Sequence, residues 1–189
     1  MNRYFCLFLA LIFVLSCASV GYDSSKLKSF HKIIAEETQK VSIYDGFQSR
    51  AFIKVIYRSR DLRKLYVDSL AEMESLTDSE KDAIMQKEME ENNKYFEFCV
   101  VLSTTEFKTN DLDSIKSIWR VFIEDSSGAR EYPLEIREVK VDQKIRLLYP
   151  GVSRFGKFYK IKFEKKDRIY LKGVKLIFSS VAGKAVFKY

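Results

Sequence analysis

Few residues in this chain have the types and spacing that catalysis requires. It has one histidine, His31. A lone imidazole cannot build a typical zinc site, and a Ser-His-Asp triad would rest on it alone. His31 lies in a lysine-rich stretch near the N-terminus, where an incidental role is the simpler reading. There are three cysteines, Cys6, Cys17 and Cys99, too few for a four-thiolate metal site. Cys99 sits inside an alternating apolar pattern and reads as a structural thiol. Asn110-Asp111-Leu112-Asp113 gathers oxygen donors in one loop. It lacks the glycine and the closing glutamate of a helix-loop-helix calcium site. Glu88, Glu90 and Glu91 read as a solvated helix face, and no glycine-rich phosphate loop occurs. With no nucleophile–base pair, paired carboxylates or metal cluster in view, the expectation is a non-enzymatic protein without cofactor or metal.

The one segment with a specific chemical reading is the first. Arg3 precedes an apolar run from Tyr4 to Leu15, which closes on Val14-Leu15-Ser16-Cys17. This closing tetrad resembles a bacterial lipobox, although Leu15 is bulkier than the usual residue at its place. The resemblance covers residues 1–17 and implies a signal peptide over 1–16, with Cys17 taking a diacylglyceryl group through its thiol. Membrane lipid is then the first partner, held through acylated Cys17. The location would be a bacterial cell envelope, at the outer membrane or the outer leaflet of the cytoplasmic membrane. Two other readings stay open. Ser16-Cys17-Ala18 also suits soluble export with a cut after Ala18, and the apolar run is at the short end for an uncleaved anchor. With Cys6 removed and Cys17 acylated, Cys99 is solitary.

The formal net charge is +7, and Arg3 leaves with a leader. Export makes nucleic acid an improbable counter-charge, so an envelope protein or an anionic glycan is the expected alternative partner. The charge is segregated. Residues 61–94 hold ten Asp and Glu against five Lys and Arg, whereas residues 95–189 hold twelve against nineteen. Lys157, Lys160, Lys162, Lys165, Lys166, Arg168, Lys172 and Lys175 cluster within the basic part. On adjacent antiparallel strands they could share one face and contact headgroups, glycans or an acidic protein. The plainer reading is that lysine-rich edges prevent sheet-to-sheet association. Tyr149, Phe155, Phe158 and Tyr159 around a Pro-Gly turn could floor a shallow pocket, with core packing the simpler alternative.

The elements that must position these residues follow from periodicity. Leu27, Phe30, Ile33 and Ile34 recur at helical spacing, giving a short amphipathic helix that packs on the domain or lies on the membrane. Ala51, Ile53, Val55 and Tyr57 alternate with Phe52 and Ile56. Bulk on both faces makes Phe47–Arg58 a central strand. Leu62, Leu65, Tyr66, Leu70 and Met73 return to helical spacing. After Leu76, Thr77-Asp78-Ser79-Glu80 forms a capping box that starts a second helix. Together these make an αα-hairpin over 61–94. From Tyr95, Phe96, Phe98, Val100 and Leu102 alternate with Glu97, Cys99 and Val101. Trp119, Val121 and Ile123 share a face, and Asp125-Ser126-Ser127-Gly128 is a hairpin turn leading to a partner strand through Tyr132, Leu134 and Ile136. The apolar phase then moves to Val139 and Val141, which reads as a bulge or a new strand, and Tyr159, Ile161 and Phe163, then Val174, Leu176 and Phe178, then Ala185 and Phe187, complete seven or eight strands.

This pattern predicts a mainly β fold. It is an antiparallel β-sandwich, with an immunoglobulin-like form as one version, and it carries the inserted helical hairpin. The expected organisation is 1–16 signal peptide, 17–43 lipidated tether with a short helix, and 44–189 sandwich domain with the 61–94 insert. From Tyr44 onward, the strand–hairpin–strand order, Ser117-Ile118-Trp119-Arg120 and Tyr149-Pro150 resemble a group of bacterial envelope lipoproteins with no established activity. The resemblance implies an exported sandwich and no site residue. The expected role is a non-enzymatic binding or structural module at the membrane. The alternatives are a hydrolase or carbohydrate-active enzyme on the same scaffold, and an envelope assembly factor acting through its helical arm.

Overall fold

The computed structural model describes residues 25–152, 155–166 and 172–189. The leader 1–16, Cys17 and Arg168 lie outside the described residues.

The fold is mainly antiparallel β, with helices on one side. Strands β1 (Gln39–Asp45), β2 (Gln48–Tyr57), β3 (Tyr95–Thr104), β6 (Glu135–Val139) and β7 (Lys157–Glu164) form a five-stranded sheet in the order β1-β2-β3-β7-β6. Strands β4 (Arg120–Glu124), β5 (Arg130–Glu131), β8 (Lys175–Ser180) and β9 (Gly183–Lys188) form a four-stranded sheet in the order β5-β4-β8-β9. Alternation decides what each face buries. Ile53, Val55, Phe98, Val100, Leu102, Tyr159, Ile161 and Phe163 from the first sheet join one buried cluster with Val121, Ile123, Leu176, Phe178, Ala185 and Phe187 from the second. The central position read for β2 is observed, since it pairs with β1 on one side and β3 on the other.

The opposite face of the five-stranded sheet is covered by helices. Helix α1 (Ser25–Glu37) buries Leu27, Phe30 and Ile34. They share a second core with Ile56, Cys99, Val101 and Phe158 of the sheet, Leu62 of α2 (Arg60–Glu74) and Leu148 of α4 (Gln143–Leu148). Phe30 lies between the rings of Tyr66 and Tyr149, at centroid distances of 6.2 and 5.9 Å. Helix α1 therefore packs on the domain. The helical hairpin is closed by α3 (Asp78–Lys94). Ser75 takes a left-handed conformation at φ 53° to end α2. The capping box forms as read: the Thr77 amide donates to Glu80 Oε2 at 2.9 Å, and the Glu80 amide donates to Thr77 Oγ1 at 3.4 Å.

Four expectations are corrected. The sheet begins inside the segment read as tether, because β1 starts at Gln39. Only Val41 and Ile43 mark that strand, and its polar neighbours mask the alternation. The strand expected to continue through Tyr132, Leu134 and Ile136 is split. β5 ends at Glu131, and the chain crosses to the other sheet, where the Leu134 amide donates to Lys162 O at 2.8 Å and β6 pairs with β7. Pro133, having no N–H, stands at that crossing. The segment before Tyr149 contains α4, started by Asp142, whose Oδ1 accepts from the Ile145 amide at 2.8 Å. Nine strands are present among the described residues, against seven or eight expected.

The close approach of the two sheets at one end depends on Gly183. Its φ is +134°, and a Cβ there would meet Ile43 Cγ2 of β1 at 2.6 Å. Gly183→Ala should lower stability by about 1–3 kcal/mol in urea unfolding. Gly151→Ala should be near neutral, because its Cβ would meet only Lys54 at 3.7 Å.

Candidate functional site

Two regions carry most of the polar chemistry, and they differ in kind. The first is buried. Arg58 at the end of β2, Glu97 in β3, Arg63 in α2 and Glu88 in α3 form a closed ring of ion pairs. Arg58 donates to Glu97 Oε1 at 2.9 Å and to Glu88 Oε2 at 3.0 Å. Arg63 donates to Glu97 Oε2 at 2.7 Å and also to Glu88 Oε2. Arg63 Nε reaches the Arg58 carbonyl at 3.2 Å, and the Arg58 guanidinium lies over the Tyr66 ring at 5.0 Å. Arg58 and Glu97 are each 2% exposed, and Arg63 is 1% exposed. Two cations and two anions balance inside the ring, and Lys160 approaches Glu97 at 3.6 Å from β7. Burial alone would raise the Glu97 carboxyl. Arg58, Lys160 and Arg63 overcome that and hold it down to about 2, from an ordinary 4.5. Both Glu97 oxygens and Glu88 Oε2 are spent on guanidinium groups, so the ring reads as an internal tie.

The ring fastens the acidic hairpin to the basic sheet, and two further contacts extend it. Lys162 pairs with Glu91 at 2.6 Å, and Lys165 Nζ donates to the Asn92 carbonyl. The acidic insert thus docks on its own sheet. The expected basic cluster is largely consumed in the same way. Lys157 pairs with Glu138 at 2.8 Å, Lys166 with Glu131 at 2.7 Å and Lys175 with Glu124 at 3.6 Å. Lys160 and Lys162 face the helices, whereas Lys166 and Lys175 lie at the opposite end of the strands from Lys157. Lys172 is exposed in a turn. The cluster is contiguous in sequence but does not gather into one free cationic face among the described residues.

The other sequence candidates are also placed. His31 Nε2 lies 2.7 Å from the Leu147 carbonyl, joining α1 to α4. Cys99 is buried 3.9 Å from the Tyr149 hydroxyl, and burial pushes its thiol up, away from a reactive thiolate. Tyr149, Phe158 and Tyr159 are core residues, and Phe155 alone of that group is exposed. Among the described residues no group of three or more His, Cys, Asp or Glu is placed to hold a metal. No described helix is long and apolar enough to cross a membrane.

The second region is open, and sequence reasoning missed it. The β1–β2 turn, the 105–119 connection and the β8–β9 turn converge at one end of the two sheets. They frame a concavity of about 640 Å³, lined by Tyr44, Asp45, Arg50, Glu106, Ile118 and Val181 among others. That volume suits a small ligand or a peptide segment. Arg50 and Asp45 pair at 2.7 Å on its wall and remain partly exposed. Thr105 and Thr109 spend their hydroxyls on the carbonyls of Ser49 and Glu106. The Glu106 carboxylate and the Tyr44 ring are left to meet a ligand, beside the partly exposed Arg50–Asp45 pair. The loop floor is fixed from below: Trp119 Nε1 donates to Thr109 O at 2.8 Å, and the Tyr159 hydroxyl donates to Asn110 O at 2.9 Å. The only sequence signal was the concentration of polar turns. Their convergence depends on strand register.

Comparison with known proteins adds little to this geometry. No family model matches the chain, and no curated protein matches it. A crystal structure at 1.90 Å of a protein of unknown function from Burkholderia pseudomallei K96243 is similar at 13% identity, covering 86% of this chain and 84% of that one, with a TM-score of 0.47. At that level of likeness neither fold nor activity is carried across.

Acid should loosen the hairpin. The folded Glu97 carboxyl lies below its unfolded value, so its contribution is complete above about pH 4.5 and is lost as pH falls toward about 2. The amount is on the order of 3 kcal/mol. Glu97→Gln should cost about 3–5 kcal/mol at neutral pH by leaving both guanidinium groups short of a partner. It should also flatten the acid limb of a stability-versus-pH curve measured by urea unfolding.

Proposed function

We propose that this protein is a membrane-anchored envelope lipoprotein, with its two sheets forming a β-sandwich of immunoglobulin-like character. The sandwich serves as a non-enzymatic binding module. The observation that carries the binding role is the open concavity at the loop end. Turns contributed by both sheets frame it, and an underlying core holds them rigidly. Rigid scaffolds that present ligand groups on converging loops are a common basis for recognition. The shared apolar core supports the sandwich reading, and the tetrad ending at Cys17 supports the anchor. The partner would be an envelope protein or an anionic glycan that meets Arg50 and the flanking aromatic rings.

The helical arm is a second candidate interaction surface, because α3 buries only Asn92 and leaves its outer face open. Deleting 61–94 is a poor test of it. The deletion removes Arg63 and Glu88 and strands Arg58 and Glu97 in the interior.

The anchor is tested by Cys17→Ala in intact cells. The expected result is loss of the lipid-sized mass increment, together with arrested processing or release from the membrane fraction. Normal maturation and full membrane retention of Cys17→Ala would sink the lipoprotein reading.

A further inference from the structure

Among the described residues, most of the large exposed apolar side chains stand at the end that holds the concavity. Phe47, Phe107, Ile115, Phe155 and Val181 are all large, exposed and at or beside turns of that end. Phe47 occupies the β1–β2 turn, Phe107 and Ile115 the 105–119 connection, Phe155 the approach to β7 and Val181 the β8–β9 turn. Chain register places these turns together, since β2 pairs Ala51 with Thr104 and β8 pairs Ser179 with Arg120 of β4. Exposed apolar groups in one patch mark a contact surface. These stand on four separate turns instead of forming one continuous groove, which suits independent insertion into a fluid interface better than the seating of a single helix.

The charges around them fit the same occupant. Lys108 follows Phe107, and Lys116 follows Ile115. Both lysines and Lys184 are exposed, and no ion-pair partner is present for them among the described residues. The β7 lysines, in contrast, are matched by carboxylates. Apolar tips beside basic residues match the depth profile of a bilayer, with rings below the headgroups and ammonium groups among them. Glu106 and Asp113 are also exposed here. The charge of this end is therefore close to balanced, and apolar insertion carries the contact.

On the lipoprotein reading, chain length bounds how far Ser25 stands from the bilayer. Seven residues lie between Cys17 and the start of α1 at Ser25. Even fully extended, that segment spans at most about 28 Å. From these observations we infer that the loop end enters the lipid interface, docking the domain on the bilayer through the tips carrying Phe47, Phe107 and Ile115, so that lipid headgroups occupy the concavity in place of the protein or glycan partner proposed above. The proximity comes from the lipoprotein reading, whereas the insertion is a property of the tips themselves.

The test uses the full chain on vesicles of phosphatidylethanolamine and phosphatidylglycerol, with and without brominated acyl chains. Trp119 is buried and serves as an internal reference. Phe47→Trp and Phe107→Trp should each shift emission to the blue on vesicles and lose intensity with brominated lipid. Leu134→Trp, an exposed position whose amide pairs with Lys162 toward the far end of β7, should do neither. Quenching of the tip tryptophans in a chain that also carries Cys17→Ala supports the inference whatever the fate of the anchor. A chain held on the vesicles whose tip emission stays unshifted and unquenched overturns the inference and leaves lipidation standing. A blue shift in buffer alone, growing with protein concentration, also overturns it, because the tips would then meet another copy of the chain.

Discussion

The ring formed by Arg58, Glu97, Arg63 and Glu88 governs how the helical layer meets the sheet. It sits where β2 leaves the sheet and α2 begins, and where α3 hands back to β3. Removing four charges from water is costly, and only near-complete pairing offsets that cost. The geometry supplies the pairing. Each guanidinium bridges both carboxylates, and the Arg58 amide also donates to the Glu97 carbonyl at 2.9 Å. Arg58 Nε is left buried without a partner, the one gap in the arrangement. Replacing buried ion pairs by an apolar plug of equal volume is often neutral or stabilising. What the ring adds is orientation, because any other seating of the hairpin leaves a charge unpaired in the interior.

That constraint explains the division of the outer sheet face. Toward one side, Ile56, Cys99, Val101 and Phe158 receive α1, α2 and α4 in an apolar core. Toward the other, the same strands present Arg58, Glu97, Lys160 and Lys162 to the hairpin. α3 has little apolar surface to bury, and Asn92 is its one buried residue. Without the ring and the Lys162–Glu91 pair, α3 would have little reason to lie on the sheet. The inner face carries no such demand. It is filled by aromatic and branched side chains from both sheets, including the edge-to-face pair Phe98–Phe163 at 5.9 Å.

The loop end is built on the opposite principle. There the sheets run out, and polar turns fasten themselves to the core through a few hydrogen bonds, leaving apolar tips outside. The charge-satisfied end and the open, apolar-tipped end are thus separated along the strands. The turns at the loop end can change without disturbing the ring that orients the hairpin.

Much of the architecture was legible in the sequence, because alternation and capping are local. Phe96, Phe98, Val100 and Leu102 announce β3 by period two, and Thr77 with Glu80 announces the start of α3. Where local signal is thin, the reading failed: β1 shows only Val41 and Ile43, and α4 is six residues with Leu148 as its buried contact. The crossing at Pro133 was hidden because residues on both sides keep strand character. Glu97, a charge inside an otherwise apolar strand, was the one visible hint of the buried ring. The sequence by itself determined most of the strand and helix content and the segregated charge. Tertiary structure alone decided which lysines meet carboxylates, that Arg58 and Arg63 share Glu88 and Glu97, and that five exposed apolar residues stand at one end. These outcomes depend on pairings between residues far apart in the chain. Sheet order and register set such pairings, and no local pattern encodes them.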